Sequence, residues 1–204
     1  RPQTVICTAG TSFLTNLTGA ESGFEAWVDR QPPSEGPTLR EGRQQVQDVV
    51  RLLAAGKGSE AGKELARLPG VPRAAGAEAG SLLSMKGQGP YAELAEAVFL
   101  HSDTPEGELS ASASSAFVEA KAGMATRLVR VEGLQGKDLT RFKVAGLRNL
   151  VREAVRIVNA AGDPRLVVVN ATGGYKAQIA VATVVGQVFG VRVVYRHEEF
   201  AQFI

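Results

Sequence analysis

Apolar residues fall into two registers along this chain. Short runs rich in β-branched residues, at Thr4–Thr8, Glu93–Leu100, Arg127–Val131, Leu166–Val169 and Val191–Tyr195, predict strands. Longer segments keep the 3.6-residue spacing of a helix with one buried face. Leu39–Ala55 does so through Val46, Val49, Val50, Leu52 and Leu53, with Gly56 and Gly58 to stop it. Ser59 is placed to cap a short helix running to Leu68, ahead of Pro69-Gly70. Thr140–Ala161 is the strongest helix, with Phe142, Val144, Leu147, Leu150, Val151, Val155 and Val158 in register and Gly162-Asp163-Pro164 closing it. Glu108–Ala122 and Tyr175–Phe189 also read as helices. Ala77–Met85 is apolar enough for burial without choosing between helix and strand, and residues 19–37 read as an irregular excursion.

Strands alternating with helices predict βαβ units. The expected fold is α/β and Rossmann-like: a mostly parallel sheet flanked by helices on both faces, as a single domain over residues 1–204. In such a sheet the turns that follow the strands share one edge, where ligands bind. Two turns there are unusually polar. Ala9-Gly10-Thr11-Ser12-Phe13-Leu14-Thr15-Asn16 follows the first strand. Asn170-Ala171-Thr172-Gly173-Gly174-Tyr175-Lys176 links the fourth strand to a helix start. Together they offer backbone N–H groups, hydroxyls, amides and a cation, which suit an oxygen-rich anion at a helix N-terminus.

Composition narrows the class of partner. At 204 residues, 44% hydrophobic and 22% charged, the chain is an ordinary globular protein. A formal net charge of +2 makes no broad nucleic-acid or membrane surface, so any anion site must be local, and no direct DNA binding is expected. The single cysteine, Cys7, forbids an internal disulfide and fits a reducing cytoplasm. Within an apolar run it reads as a small buried hydrophobe rather than a nucleophile. No apolar run is long enough to span a bilayer. The start at Arg1 suggests a piece of a longer chain, with an effector domain or membrane segment elsewhere; the protein would be membrane-associated in the latter case.

Several familiar chemistries do not fit. Lys176 is followed by Ala177, so the second turn is not the phosphate loop of nucleoside triphosphatases, and neither turn carries Gly-x-Gly-x-x-Gly. No Gly-x-Ser-x-Gly elbow exists to make Ser12 a hydrolase nucleophile. One cysteine and two distant histidines, His101 and His197, give no metal spacing, so neither a metal nor a cofactor is expected. Each histidine follows an apolar run and reads by default as a satisfied rim residue, with a catalytic base as the sharper alternative. Glu198 and Glu199 read as solvated or capping residues. Arg141, Arg148, Arg152 and Arg156 make one helix face that is solvated by default and a partner surface otherwise. The plain reading of Gly173-Gly174 is a tight strand-to-helix turn, and of Gly10-Thr11-Ser12 a helix cap.

The strings Val5-Ile6-Cys7-Thr8-Ala9-Gly10-Thr11-Ser12-Phe13-Leu14-Thr15-Asn16 and Asn170-Ala171-Thr172-Gly173-Gly174-Tyr175-Lys176-Ala177-Gln178 resemble the two ligand motifs of CRISPR-associated Rossmann-fold (CARF) domains. Leu100-His101-Ser102-Asp103-Thr104-Pro105-Glu106-Gly107 and Tyr195-Arg196-His197-Glu198-Glu199-Phe200 are similar to the branch that holds sensors and small ring nucleases. The resemblance implies a homodimer that binds a cyclic oligoadenylate, most often cyclic tetra-adenylate, across its two-fold axis in type III CRISPR antiviral signalling. It implies ligand contacts from Gly10, Thr11, Ser12, Thr15, Asn16, Asn170, Thr172, Gly173, Gly174, Tyr175 and Lys176. A ring of repeating phosphates suits a symmetric site built twice from the same turns.

Two outcomes are open within that family. A sensor domain would switch an attached effector. A free-standing ring nuclease would cleave cyclic tetra-adenylate to linear di-adenylate by metal-independent attack of a ribose 2′-hydroxyl, with Ser12 orienting the reacting group and Lys176 steadying the phosphate. No Arg-x-x-x-x-His pair of the ribonuclease type ends at His101, the nearest arginine before it being Arg73. The sensor reading is favoured. A nucleotide-responsive transcription regulator is the alternative of another class, and would need a basic recognition helix.

Overall fold

The computed structural model describes residues 1–196 and residue 203. Five strands, β1 (Thr4–Thr8), β2 (Glu96–Ser102), β3 (Ala125–Val131), β4 (Val167–Asn170) and β5 (Arg192–Val194), form one parallel sheet in the order β3-β2-β1-β4-β5. The β1–β2 connection carries α1 (Ser12–Thr15), α2 (Phe24–Val28), α3 (Gly36–Glu41), α4 (Arg43–Ala54), α5 (Gly58–Leu65) and α6 (Gly76–Lys86). Helix α7 (Pro105–Ala122) joins β2 to β3, α8 (Leu139–Arg141) and α9 (Leu147–Ala161) join β3 to β4, and α10 (Lys176–Phe189) joins β4 to β5.

The strand order follows the chain outward from β1 through β2 to β3, then restarts on the other side of β1 with β4. That reversal opens a crevice past the carboxyl ends of β1 and β4, where both polar turns lie. The sheet is buried on both faces because successive side chains alternate. Val5, Cys7, Phe99 and Val168 pack with Phe13, Trp27, Leu65, Leu82 and Phe117 on one face. Ile6, Val98, Leu100, Val167 and Val169 pack with Leu150, Ile157, Val158 and Val185 on the other.

The α/β expectation holds, and the departures from it have local causes. The region 19–37 is not wholly irregular: Phe24, Trp27 and Val28 are buried on α2, which at five residues is too short to give a periodic signal. The Leu39–Ala55 helix is two helices meeting at Gly42, where a Cβ would run into Leu68. Gly56 ends α4 at φ +73°, whereas Gly58 begins α5, and Lys57 rather than Ser59 stands at its N-cap. Gly58 and Gly62 bring α5 against the backbone of α7, since a Cβ on Gly62 would overlap the Ala113 carbonyl. The ambiguous 77–85 stretch is α6. Helix α7 starts earlier than expected because Thr104 caps it, accepting from Gly107 N at 3.0 Å, and Pro105 fits its first position. The Thr140–Ala161 helix contains a π turn over Phe142–Gly146, which seats Gly146 against the Gly133 carbonyl.

Candidate functional site

The two polar turns touch. A Cβ on Gly10 would lie 3.1 Å from Gly174 Cα, so only the bare backbone lets them approach this closely. The Thr8 hydroxyl, at the end of β1, donates to the Gly173 carbonyl at 2.6 Å and ties the turns together. Gly174 sits at φ +87° and turns the chain from β4 into α10. Tyr175 N donates to Gln178 Oε1 at 2.7 Å, which satisfies a first-turn donor of that helix.

Between the turns stands a side chain that the sequence reading passed over. Glu78, on α6, is 2% exposed. One of its oxygens accepts from Gly10 N at 2.5 Å and the other from the Ser12 hydroxyl at 2.5 Å. Ser12 Oγ also accepts from Ala77 N at 3.0 Å. A Cβ on Gly173 would overlap the Glu78 carboxyl group. Two of the donors expected to cradle an external anion at the first turn, Gly10 N and the Ser12 hydroxyl, are therefore engaged by the chain's own carboxylate. The available clue was an acidic residue in the small apolar run Gly76-Ala77-Glu78-Ala79-Gly80.

The remaining expected residues divide by direction. Asn170 is 1% exposed: its amide donates to Ser81 Oγ at 2.7 Å, and its oxygen accepts from Thr172 N and Thr172 Oγ1 at 3.2 and 2.6 Å. Thr172 Oγ1 accepts in turn from Arg196 N at 3.1 Å. Asn16 donates to the Arg73 carbonyl at 2.8 Å, and its own carbonyl accepts from Trp27 Nε1. Thr11 occupies the N-cap position of α1 without a side-chain cap, and Thr15 is exposed, its hydroxyl 3.4 Å from the Ser12 carbonyl. Tyr175 and Lys176 point outward. Tyr175 is 38% exposed, and its ring meets Phe142 edge-on, with centroids 5.5 Å apart. Lys176 is exposed at the first position of α10, and forms no ion pair among the described residues.

A cleft of about 520 Å³ opens beside the turns. Ser12, Asn16, Arg73, Thr172 and Arg196 give it a polar wall, and Pro32, Val71 and Pro72 an apolar one. Glu35, also on its lining, accepts from Arg73 N with both oxygens at 3.1 and 3.0 Å; burial pushes its carboxyl above the usual range against the opposing pull of Arg73. Cys7 is buried, and its thiol is pushed far up, first by burial and then by the negative charge of Glu78, so it stays protonated. His101 is buried within β2, its Nδ1 3.0 Å from the Ser102 carbonyl. Asp103, beyond β2, pairs with Arg130 and Arg141 and accepts from Gly133 N. Arg141, Arg148, Arg152 and Arg156 are exposed, and Arg156 pairs with Glu153 at 2.6 Å. His197, Glu198 and Glu199, with the end of the Tyr195–Phe200 string, lie outside the described residues.

Residues 73–204, well over half of the chain, match the model of a protein family described as "CRISPR-associated protein (Cas_APE2256)". The chain belongs to this family. It is thus a CRISPR-associated protein, and the match takes in Glu78, the second turn and the sheet from β2 to β5, while the first turn lies ahead of it. No curated protein matches the chain. Among the described residues no helix is long and apolar enough to cross a membrane.

Proposed function

We propose that this CRISPR-associated protein is a sensor domain that binds a cyclic oligoadenylate, cyclic tetra-adenylate in the first instance, as a homodimer in type III CRISPR signalling. The observation that carries the reading is the contact of the Gly10 and Gly174 turns at the β1/β4 crevice. These are the two strings that resemble the CARF ligand motifs, and their meeting makes one composite site of what the chain keeps far apart. Membership of a CRISPR-associated family supports the same context. Lys176 supplies a cation, without an ion pair among the described residues, at a helix start, where anions are favoured. The adjoining cleft, flanked by Arg73 and Arg196, offers room for a nucleoside. In a two-fold dimer each subunit contributes this set once, matching a ring whose phosphates repeat.

Ring cleavage is the second reading. It needs the attacking 2′-hydroxyl, the phosphorus and the leaving oxygen held in line, with the developing charge met by donors. The Ser12 hydroxyl already donates its hydrogen bond to Glu78, which favours binding over cleavage at this turn. Incubation of the purified protein with labelled cyclic tetra-adenylate under single-turnover conditions separates the readings. An intact ring retained by the protein supports the sensor. Linear di-adenylate ending in a cyclic 2′,3′-phosphate supports the nuclease. No retention and no product would overturn both.

A further inference from the structure

Glu78 is a buried carboxylate whose partners are all neutral: the backbone N–H of Gly10 and the hydroxyl of Ser12. Among the described residues it has no ion pair. Burying such a charge without a cation is costly unless donors surround it, and here the donors are those that a strand-to-helix turn would offer to a ligand anion. Ser12 lines the open cleft while Glu78 lies behind it. An anionic group reaching Ser12 therefore meets a hydroxyl already committed to another acceptor, with the Glu78 carboxylate one side chain away.

We propose that Glu78 is a specificity-determining residue of the site, a charge filter that admits phosphodiesters and rejects phosphomonoesters. The inference rests on the oligonucleotide-binding reading above. A diester in a ring carries one negative charge, whereas a terminal phosphate carries close to two at neutral pH. The repulsion from Glu78 scales with that charge, so a linear oligoadenylate with a terminal phosphate is penalised about twice as heavily as a ring phosphate at the same point. The filter distinguishes a signal ring from its phosphorylated linear relatives without reading a base. Glu78→Gln keeps the shape and one acceptor for Gly10 N. It removes the charge, and its amide can donate to Ser12 Oγ, which frees the hydroxyl proton for the ligand.

The test measures the affinities of the wild-type chain and Glu78→Gln for cyclic tetra-adenylate and for linear tetra-adenylate with a terminal phosphate. Thermal unfolding verifies that both variants are folded. Both ligands should bind Glu78→Gln more tightly, and the wild-type preference for the ring over the linear monoester should shrink by roughly tenfold. Unchanged or weaker binding by a folded Glu78→Gln would show a purely structural glutamate and overturn the filter. A second measurement needs no variant. Linear tetra-adenylate capped as a methyl phosphodiester should bind the wild-type chain more tightly than the same oligonucleotide ending in the monoester; equal affinities would overturn the proposal. If the ring fails to bind either variant while the monoester gains on Glu78→Gln, the cyclic-ligand reading falls and the filter stands. If no ligand binds either variant, the filter falls as well.

Discussion

The first and second turns look alike as strings of glycine, hydroxyl and amide residues, and they meet in space, yet the fold engages their polar groups differently. In the first, Gly10 N and Ser12 serve Glu78, and Asn16 holds the Arg73 carbonyl. The second is split. Asn170 and Thr172 bond each other and the structure behind them, while Tyr175 and Lys176 are left toward solvent. The difference teaches that a polar residue beside a sheet edge is a ligand group only when the fold has not already satisfied it. Buried polar groups nearly always find an internal partner, and those of Gly10, Ser12 and Asn170 came from α6.

The comparison can be broken at its outward end with the largest effect. Lys176→Ala should weaken binding of cyclic tetra-adenylate on the order of a hundredfold, because a charge-assisted contact is lost on each subunit of the dimer. The same variant should leave stability within about 0.5 kcal/mol, as expected of an exposed side chain. Undiminished affinity in a titration would remove Lys176 from the site. Gly173→Ala attacks the point where the turns meet. A methyl group there overlaps Glu78, and overpacking of this kind should cost about 2–3 kcal/mol in urea unfolding. A neutral result would mean that Glu78 is free to move aside.

Asn170→Ala should cost about 2 kcal/mol, since it removes the partner of the buried Ser81 hydroxyl and of the half-buried Thr172. A loss of ring affinity without that loss of stability would instead make Asn170 a direct ligand group. The smallest effect belongs to Tyr175→Ala, about 1 kcal/mol from the edge-on contact with Phe142. A larger drop in unfolding free energy would place more of α10's anchorage at its first turn than the geometry implies.

Much of the scaffold was readable residue by residue. Val5, Ile6 and Cys7 alternate between the two sheet faces as a period of two demands, and Val167–Asn170 stops where glycine permits the turn into α10. Cys7 was legible as a buried hydrophobe for the same reason. The break at Gly42 and the π turn at Phe142–Gly146 were not, because Leu68 and Gly133 press on those positions from elsewhere in the chain. The short helix α2 escaped for want of length, although Trp27 marks it as buried.

The sequence by itself determined the alternation of strands and helices, the glycines at the two turns and the polar groups they present, because these follow from local periodicity and backbone freedom. Only the tertiary structure decided which of those groups remain free for a ligand. That outcome depends on which distant donor and acceptor reach each other when the sheet closes, and the strand order of the sheet sets those distances. Glu78, far from either turn along the chain, took Gly10 N and the Ser12 hydroxyl of the first, while Lys176 of the second stays exposed.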